Sequence, residues 1–284
     1  MSGMKDLQDK VAIVTGASQG LGRAFAIDLA KHGMKIGAIA RSPQELEETV
    51  SAIRNDEGEA IAAKVDVTDE ESVQACVQDF EKQLGPIDLL VNAAGEVLPV
   101  GKPWELKVNN WWRVMEVNVK GPLICCNAVL PGMIQRRRGR IINVASSTVL
   151  HTRPYMSAYV TSKTALVKLS EILAKELEGS GIAVFAIHPG TVNTAMAQAL
   201  LRPEYKEFFP WFRSIFDENR DDPPTRGSSL VVSLDSGIAD SLSGRYFRAP
   251  AGIGPSIAHK EEILANDLQL LRMKFPDDNE AHGG

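Results

Sequence analysis

Six short apolar runs recur along this chain, each followed by a segment of helical periodicity, and no two-residue hairpin turn joins one run to the next. They cover residues 10–15, 34–40, 59–65, 87–91, 141–145 and 182–187, and residues 244–248 read as a seventh. Strands linked through helices run parallel, with right-handed crossovers that put helices on both faces. The expected fold is therefore α/β: a doubly wound parallel β-sheet of Rossmann type with about seven strands. In such a sheet a ligand binds beyond the carboxyl ends of the strands. The residues that end each run are where chemistry is to be sought.

The first run ends in Gly16-Ala17-Ser18-Gln19-Gly20-Leu21-Gly22, then a helix extends to His32, where Gly33 stops it. Free backbone N–H groups at that helix start favour an anion, and the glycines allow a tight turn and the close approach of a pyrophosphate. The spacing is GxxxGxG rather than the commoner GxGxxG. The second run ends at Ala40, where an acidic residue would hold the ribose 2′-OH of NAD, and Arg41 follows. A cation there suits a 2′-phosphate, so NADP is the expected cofactor and NAD the less favoured one. The third run closes on Asp66, followed by Val67 and Thr68. Asp66 can accept a hydrogen bond from an adenine amine or simply shape the turn. Thr68 is placed to cap a helix over 69–84, with Glu71 as its box partner. Asn92-Ala93-Ala94-Gly95 end the fourth run with small residues that leave room for a ligand. A single helix over 108–133 then carries Trp111, Trp112 and Asn118.

The fifth run leads to Ser146, and thirteen residues later Tyr159 and Lys163 open another helix. Positions i and i+4 share a helix face. An ammonium beside a phenol favours the phenolate, which should draw the pKa of Tyr159 from about 10 toward neutrality. Tyr159 then serves as a general acid/base, and Ser146 holds an alcohol or carbonyl oxygen for it. Alone, such a pair reads equally well as a surface tyrosine and a solvated lysine. Its company decides: the sixth run ends in Pro189, Gly190, Val192 and Thr194, so ligand-facing residues recur at six strand ends.

Residues 195–225 break the rhythm with Phe208, Phe209, Trp211, Phe212 and Phe216, in a chain of only 6% aromatic residues. A lid over an apolar substrate is the favoured reading, and a helical hairpin packed on the core or a partner chain the other. A helix over 225–236 precedes the seventh run. A Gly/Pro/Ala loop over 249–258 and a polar helix over 260–275, striped by Ile263, Leu264, Leu268 and Leu271, follow it. The last nine residues read as disordered. With no repeat and no second core, 1–284 is expected to be a single dinucleotide-binding catalytic domain. Its core spans about 6–248, its lid about 195–225 and its C-terminal helical extension about 259–275.

A net charge of −5 offers nothing to nucleic acid or anionic membranes. The basic run at 136–140 leads straight into a strand and reads as a solvated loop. Cys76, Cys125 and Cys126 show neither metal nor disulfide spacing, so no metal is expected and the thiols read as buried in a reducing cytoplasm. The polar first ten residues lack a signal-peptide pattern, and no apolar stretch approaches the length of a membrane span.

TGxxxGxG at 15–22, NAAG at 92–95, Asn118, Ser146, YxxxK at 159–163 and PGxVxT at 189–194 together resemble the short-chain dehydrogenase/reductases, in the branch with a single Rossmann domain. The resemblance covers about residues 6–248. It implies reversible hydride transfer between NADP(H) and a secondary alcohol or ketone. It implies that Gly16, Gly20 and Gly22 shape the pyrophosphate turn along with Ser18, Gln19 and Leu21. Asp66 and Val67 would then border adenine, and Asn92, Ala93, Ala94 and Gly95 the adenosine side. Lys163 would also hold the nicotinamide ribose, Thr194 the carboxamide and phosphates, and Asn118 a water that relays protons from Lys163 to solvent. A homodimer or homotetramer is implied as well. The C-terminal ending departs from the family's glycine-rich pattern, which affects the pocket and the tetramer contacts. A non-catalytic dinucleotide sensor on the same fold is the alternative, and it would be favoured by loss of Ser146, Tyr159 or Lys163, all of which are present.

Overall fold

The computed structural model describes residues 7–273. Strands β1 (Val11–Thr15), β2 (Lys35–Ala40), β3 (Ala60–Lys64), β4 (Ile87–Asn92), β5 (Gly139–Val144), β6 (Ile182–His188) and β7 (Tyr246–Arg248) form one sheet. Every pairing is parallel, and the order is β3-β2-β1-β4-β5-β6-β7. The chain winds outward from β1 to β3, then returns to β4 on the other side of β1. That reversal opens a crevice at the carboxyl ends of β1 and β4.

The helices are α1 (Gly20–Lys31), α2 (Pro43–Asn55), α3 (Glu70–Leu84), α4 (Val108–Met115), α5 (Gly121–Arg136) and α6 (Ser157–Glu176). Next come α7 (Ala195–Leu200), α8 (Pro210–Asp217), α9 (Pro224–Asp235), α10 (Gly254–Ala258) and α11 (Lys260–Ala265). Both faces of the sheet are covered. Phe25 and Leu29 of α1, Leu46 and Val50 of α2, and Val231 and Leu234 of α9 bury one face. Val73, Val77 and Phe80 of α3, Cys126 and Val129 of α5, and Leu173 of α6 bury the other. The α3 positions recur every three or four residues, so one stripe of that helix meets the sheet. Each valine, leucine or phenylalanine so buried contributes about 1.5–3 kcal/mol.

The sequence expectations fail in five places. Asp69, not Thr68, caps α3: its carboxylate accepts from the Ser72 N–H at 3.2 Å and the Ser72 hydroxyl at 2.6 Å. Thr68 instead turns its hydroxyl back to Asp66 at 2.8 Å.

The long helix is not uniform, and it ends at Arg136 rather than at 133. Residues Glu116–Lys120 form a π-helical turn between α4 and α5, in which the Gly121 N–H bonds the Glu116 carbonyl five residues back. Pro122 lacks the N–H that an α-helix would offer the Asn118 carbonyl, so the ordinary ladder cannot run through this point.

The continuous run Val108–Arg136 is also long and apolar enough to cross a membrane, contrary to the expectation that no stretch is. Yet 56% of its apolar window is buried in protein, where it packs beside α3, β4 and α6.

The C-terminal helix stops at Ala265 and is preceded by α10 within the expected loop. Ile263 is buried, but Leu264 and Leu268 are exposed. The chain turns through Asp267 and Gln269, both at positive φ, so that the Gln269 carbonyl accepts the Tyr246 N–H at 2.9 Å along the edge of β7. The expected disorder of 276–284 lies outside the described residues.

The basic run is not the expected solvated loop: Arg136 ends α5, and Gly139 and Arg140 open β5. Arg136 reaches Glu81 and the Ile87 carbonyl, Arg138 pairs with Asp88, and Arg140 pairs with Asp235 and Asp240. The three cysteines are free and buried, and burial pushes the Cys76 and Cys126 thiols up to about 12. Among the described residues no His/Cys/Asp/Glu group could hold a metal ion.

Candidate active site

A cleft of about 300 Å³ lies over the carboxyl ends of the strands. At its centre is the glycine turn between β1 and α1. Gly16 has φ +69°, and a Cβ there would lie 2.9 Å from the backbone of Ala94. A Cβ on Gly22 would lie 2.3 Å from the Gly16 carbonyl oxygen. Neither position tolerates a side chain without moving backbone. Thr15 fastens the turn to β4, its hydroxyl oxygen accepting from the N–H groups of Ala93 and Ala94 at 3.1 Å each. Ser18, Gln19, Gly20 and Leu21 line the cleft here. So do Pro189, Gly190, Val192 and Thr194 opposite them. Thr194 caps α7 through the Ala197 N–H, and its methyl would meet a Cβ placed on Gly20 at 3.2 Å. A glycine cradle at the start of a twelve-residue helix fits the pyrophosphate of a dinucleotide.

One end of the cleft is bordered by Arg41, Asp66 and Val67. Asp66 accepts from the Thr68 N–H, the Thr68 hydroxyl and, at 2.7 Å, the Arg113 guanidinium. Burial pushes this carboxyl up, but those three donors outweigh it and hold the pKa below the usual value. Arg41 is largely exposed and lies 3.8 Å from the Glu96 carboxylate.

The other end holds Ser146, Tyr159 and Lys163. Ser146 follows β5, and its Oγ accepts from the Thr148 N–H at 3.3 Å. Tyr159 and Lys163 stand on the first turns of α6. The Lys163 ammonium is almost wholly buried, donates to the Val144 carbonyl at 2.7 Å, and lies 5.8 Å from the centroid of the Tyr159 ring. Burial draws its pKa down to about 8. The phenol does not follow the sequence expectation. Loss of hydration raises the Tyr159 pKa above 10, and the neighbouring Ser146 hydroxyl opposes this only in part. The ammonium donates to the end of β5 and makes no hydrogen bond to the phenol oxygen.

Ala93, Ala94 and Gly95 line the cleft, whereas Asn92 and Asn118 do not. Asn92 lies within the sheet and donates to Asn143 Oδ1 at 2.8 Å. Asn118, fully buried in the π-helical turn, accepts from the Glu96 N–H and donates to the Glu96 carbonyl and the Ser162 hydroxyl, all within 2.9 Å. It thus fixes the loop after Gly95 and the residue next to Lys163.

The aromatic segment supplies Phe209, Trp211 and Phe212 to the cleft, with Met196 and Leu200 from α7. Sequence reasoning missed Thr148, Met156 and His188, which also line it. His188 ends β6 directly before Pro189, a position the strand pattern already marked as ligand-facing. Burial draws its pKa down to about 4, opposed in part by Asp222.

Residues 10–204 match the family model described as short chain dehydrogenase. A short chain dehydrogenase of Pseudocercospora fijiensis is 42% identical over 67% of this chain and 62% of its own length, so the chain spans less than two thirds of that relative. The short chain dehydrogenase pigC of Monascus ruber is 32% identical over 95% of this chain and 88% of its own length. The crystal structure of a putative short-chain alcohol dehydrogenase from Sinorhizobium meliloti superposes with a TM-score of 0.78 at 29% identity, covering 87% of this chain and 96% of that one. With the family match over more than half its length, this chain belongs to the short-chain dehydrogenase/reductases, oxidoreductases that act on CH–OH groups with a nicotinamide dinucleotide.

Proposed function

We propose that this protein is an NADP(H)-dependent oxidoreductase that interconverts a secondary alcohol and a ketone on an apolar substrate. The observation that carries the reading is one cleft with a glycine cradle at its centre, Arg41 at one end, and Ser146, Tyr159 and Lys163 at the other. The cofactor, when bound, supplies or accepts the hydride. The chain's own residues supply the rest. The Gly16–Gly22 turn and the α1 N-terminus hold the pyrophosphate, Arg41 the 2′-phosphate, and Asp66 the adenine amine.

In the reducing direction Tyr159 Oη gives its proton to the oxygen that was the carbonyl. Ser146 Oγ donates a hydrogen bond to the same oxygen, a role worth about 10²–10³ in rate. A phenol with a raised pKa stays protonated at neutral pH, which suits the acid role. Lys163 Nζ orients the ribose and returns a proton toward Tyr159. The Asn118 carbonyl, deprived by Pro122 of its ordinary donor, is the group to hold a relay water between Lys163 and solvent.

The aromatic wall of Phe209, Trp211 and Phe212, with Met156, Met196 and Leu200, adds no charged group to its side of the cleft, which supports an uncharged, apolar substrate. Residues from about 6 to 248 act as one catalytic domain, with 195–225 as its lid. Exposed Trp112 on α4 and Ile172 on α6 support assembly as a homodimer or homotetramer, which light scattering decides.

The test is a calorimetric titration with NADPH and, separately, NADH, followed by a ketone panel read at the nicotinamide absorbance band. NADPH-selective binding with ketone-dependent oxidation is expected. Binding of neither nucleotide overturns the reading, and NADH preference overturns the Arg41 assignment alone.

A further inference from the structure

We infer that Arg153 is a specificity-determining positioning residue: it holds Trp211 as a wall of the cleft and thereby selects broad, flat, uncharged ketones over compact ones. The inference rests on the oxidoreductase reading above and adds a residue outside the reacting groups.

Two contacts join the loop between Ser146 and Tyr159 to the aromatic segment. The Arg153 guanidinium carbon lies 3.9 Å from the centroid of the Trp211 ring. Two residues on, Tyr155 stacks on Phe208 with centroids 4.4 Å apart and planes at 17°. Tyr155 has φ +68°, which a bulky residue adopts only where its surroundings fix it. The Gly101 N–H, donating to the Tyr155 carbonyl at 2.8 Å, helps to do so. The loop is therefore a shaped support for the segment above it.

Arg153 is committed to that support. Among the described residues it makes no ion pair, and its Nε is shielded from water without a hydrogen-bond partner. A guanidinium so placed finds its stabilisation on the face of an indole. Trp211 lies in the first turn of α8, a helix with no fully buried residue, anchored on its N-terminal side by buried Phe209. Phe209 and Phe212 belong to a small hydrophobic cluster with Met156 and Leu200, separate from the two clusters on the sheet faces, and Trp211 stands outside it. Loosening its contact with Arg153 changes the shape of the cleft without unfolding the sheet. Aromatic walls interact best with flat, extended π surfaces. On this inference a compact ketone has little surface to set against Trp211, whereas a fused-ring ketone has an extended π face to lay on it.

The test compares cyclohexanone with α-tetralone in the full-length protein, using the nicotinamide cofactor that binds. Arg153→Met, which keeps length and apolar contact but removes the charge, should raise KM for α-tetralone about fivefold to tenfold, as expected for a half-buried cation–π contact. The KM for cyclohexanone and both kcat values should stay within about twofold. Arg153→Lys should restore most of the loss. In a Trp211→Leu background, Arg153→Met should change nothing further. Equal losses on both ketones, no loss on either, or undiminished effects in the Trp211→Leu background overturn the inference while leaving the oxidoreductase reading intact. No turnover of any ketone by the unmutated protein overturns that reading and the inference with it.

Discussion

Lys163 and Tyr159 share one face of α6, yet the Lys163 ammonium donates to the Val144 carbonyl at 2.7 Å and stands 5.8 Å from the centroid of the Tyr159 ring. The lysine joins the helix that carries the phenol to the strand that delivers Ser146. Its first physical effect is to fix the geometry between the two hydroxyls, and its second is to bring a buried charge to the site.

That buried charge leaves a signature in stability. The folded pKa of Lys163 is drawn down to about 8 from an ordinary 10.5. Between these values the unfolded chain holds a proton that the folded chain has released, so Lys163 makes folding more favourable as pH rises through the window. Below pH 8 it is charged in both states and its burial opposes folding in full. Urea midpoints of the unmutated protein should therefore gain on those of Lys163→Met between pH 7.5 and pH 9.5. A constant difference would show that the ammonium is not desolvated.

Removing the phenol hydroxyl should separate catalysis from binding. Tyr159→Phe is expected to lower kcat by about 10³ or more while NADPH titrates as before, because the ring still packs beside Val160 and Met156. Ser146→Ala should lose about 10²–10³. Retention of full turnover by Tyr159→Phe would remove the proton donor from the mechanism.

Arg41 has an internal competitor. Glu96 lies 3.8 Å from its guanidinium, and the Glu96 backbone is clamped on both sides by Asn118. A 2′-phosphate arriving at Arg41 meets that carboxylate. Exposed pairs of this kind are worth about 0.2–1 kcal/mol. Glu96→Gln should thus tighten NADPH about twofold to fivefold and leave NADH unchanged, with the gain shrinking at high salt. Arg41→Ala should weaken NADPH at least tenfold, roughly the loss of one charge-assisted contact. Weaker NADPH binding in Glu96→Gln would mean that the carboxylate orients Arg41 rather than competing for it.

The strands, their parallel order and the ends that face the cleft were legible because burial on both faces leaves an unbroken apolar run, and a glycine turn leaves fixed spacing. Ser146, Tyr159 and Lys163 were legible for the same reason: a strand end and one helical turn suffice to place them. Less legible were features set by partners distant in sequence. Leu264 and Leu268 have helical spacing, but the edge of β7 needs an acceptor for the Tyr246 N–H, and the chain breaks its helix so that Gln269 supplies one. The raised pKa of Tyr159 was hidden because i, i+4 spacing puts Lys163 on the right face without saying how deeply the phenol is buried. The π-helical turn did have a signal. Pro122 stands four residues after Asn118, and a proline there cannot serve an α-helical ladder.

His188 is expected to make the fold sensitive to acid. Its folded pKa of about 4 lies below the ordinary 6.5, so between these values only the unfolded chain takes up the proton. Stability from this residue is full above pH 6.5 and lost as pH falls toward 4, to a total of roughly 3 kcal/mol. His188→Asn should flatten the fall in Tm between pH 7 and pH 5 relative to the unmutated protein. Parallel curves for the two proteins would place the acid sensitivity elsewhere.

Far from the cleft, the amino ends of the strands carry a buried ion cluster. Asp235 of α9 is fully buried, with Lys10 at 3.4 Å and Arg140 at 3.7 Å. Burial pushes its carboxyl up, while the two cations pull it back toward the charged form. Arg140 keeps a second partner in Asp240 at 2.6 Å, but Lys10 has no other ion-pair partner among the described residues. Asp235→Ala therefore leaves the Lys10 ammonium buried and uncompensated. Breaking one side of such a pair costs about 3–5 kcal/mol, whereas replacing both sides by apolar groups of similar size is close to neutral. Urea unfolding should show that loss for Asp235→Ala and recover most of it in Asp235→Leu combined with Lys10→Met. A double variant as unstable as the single one would mean that Asp235 acts through its contact with Arg140 rather than by neutralising Lys10.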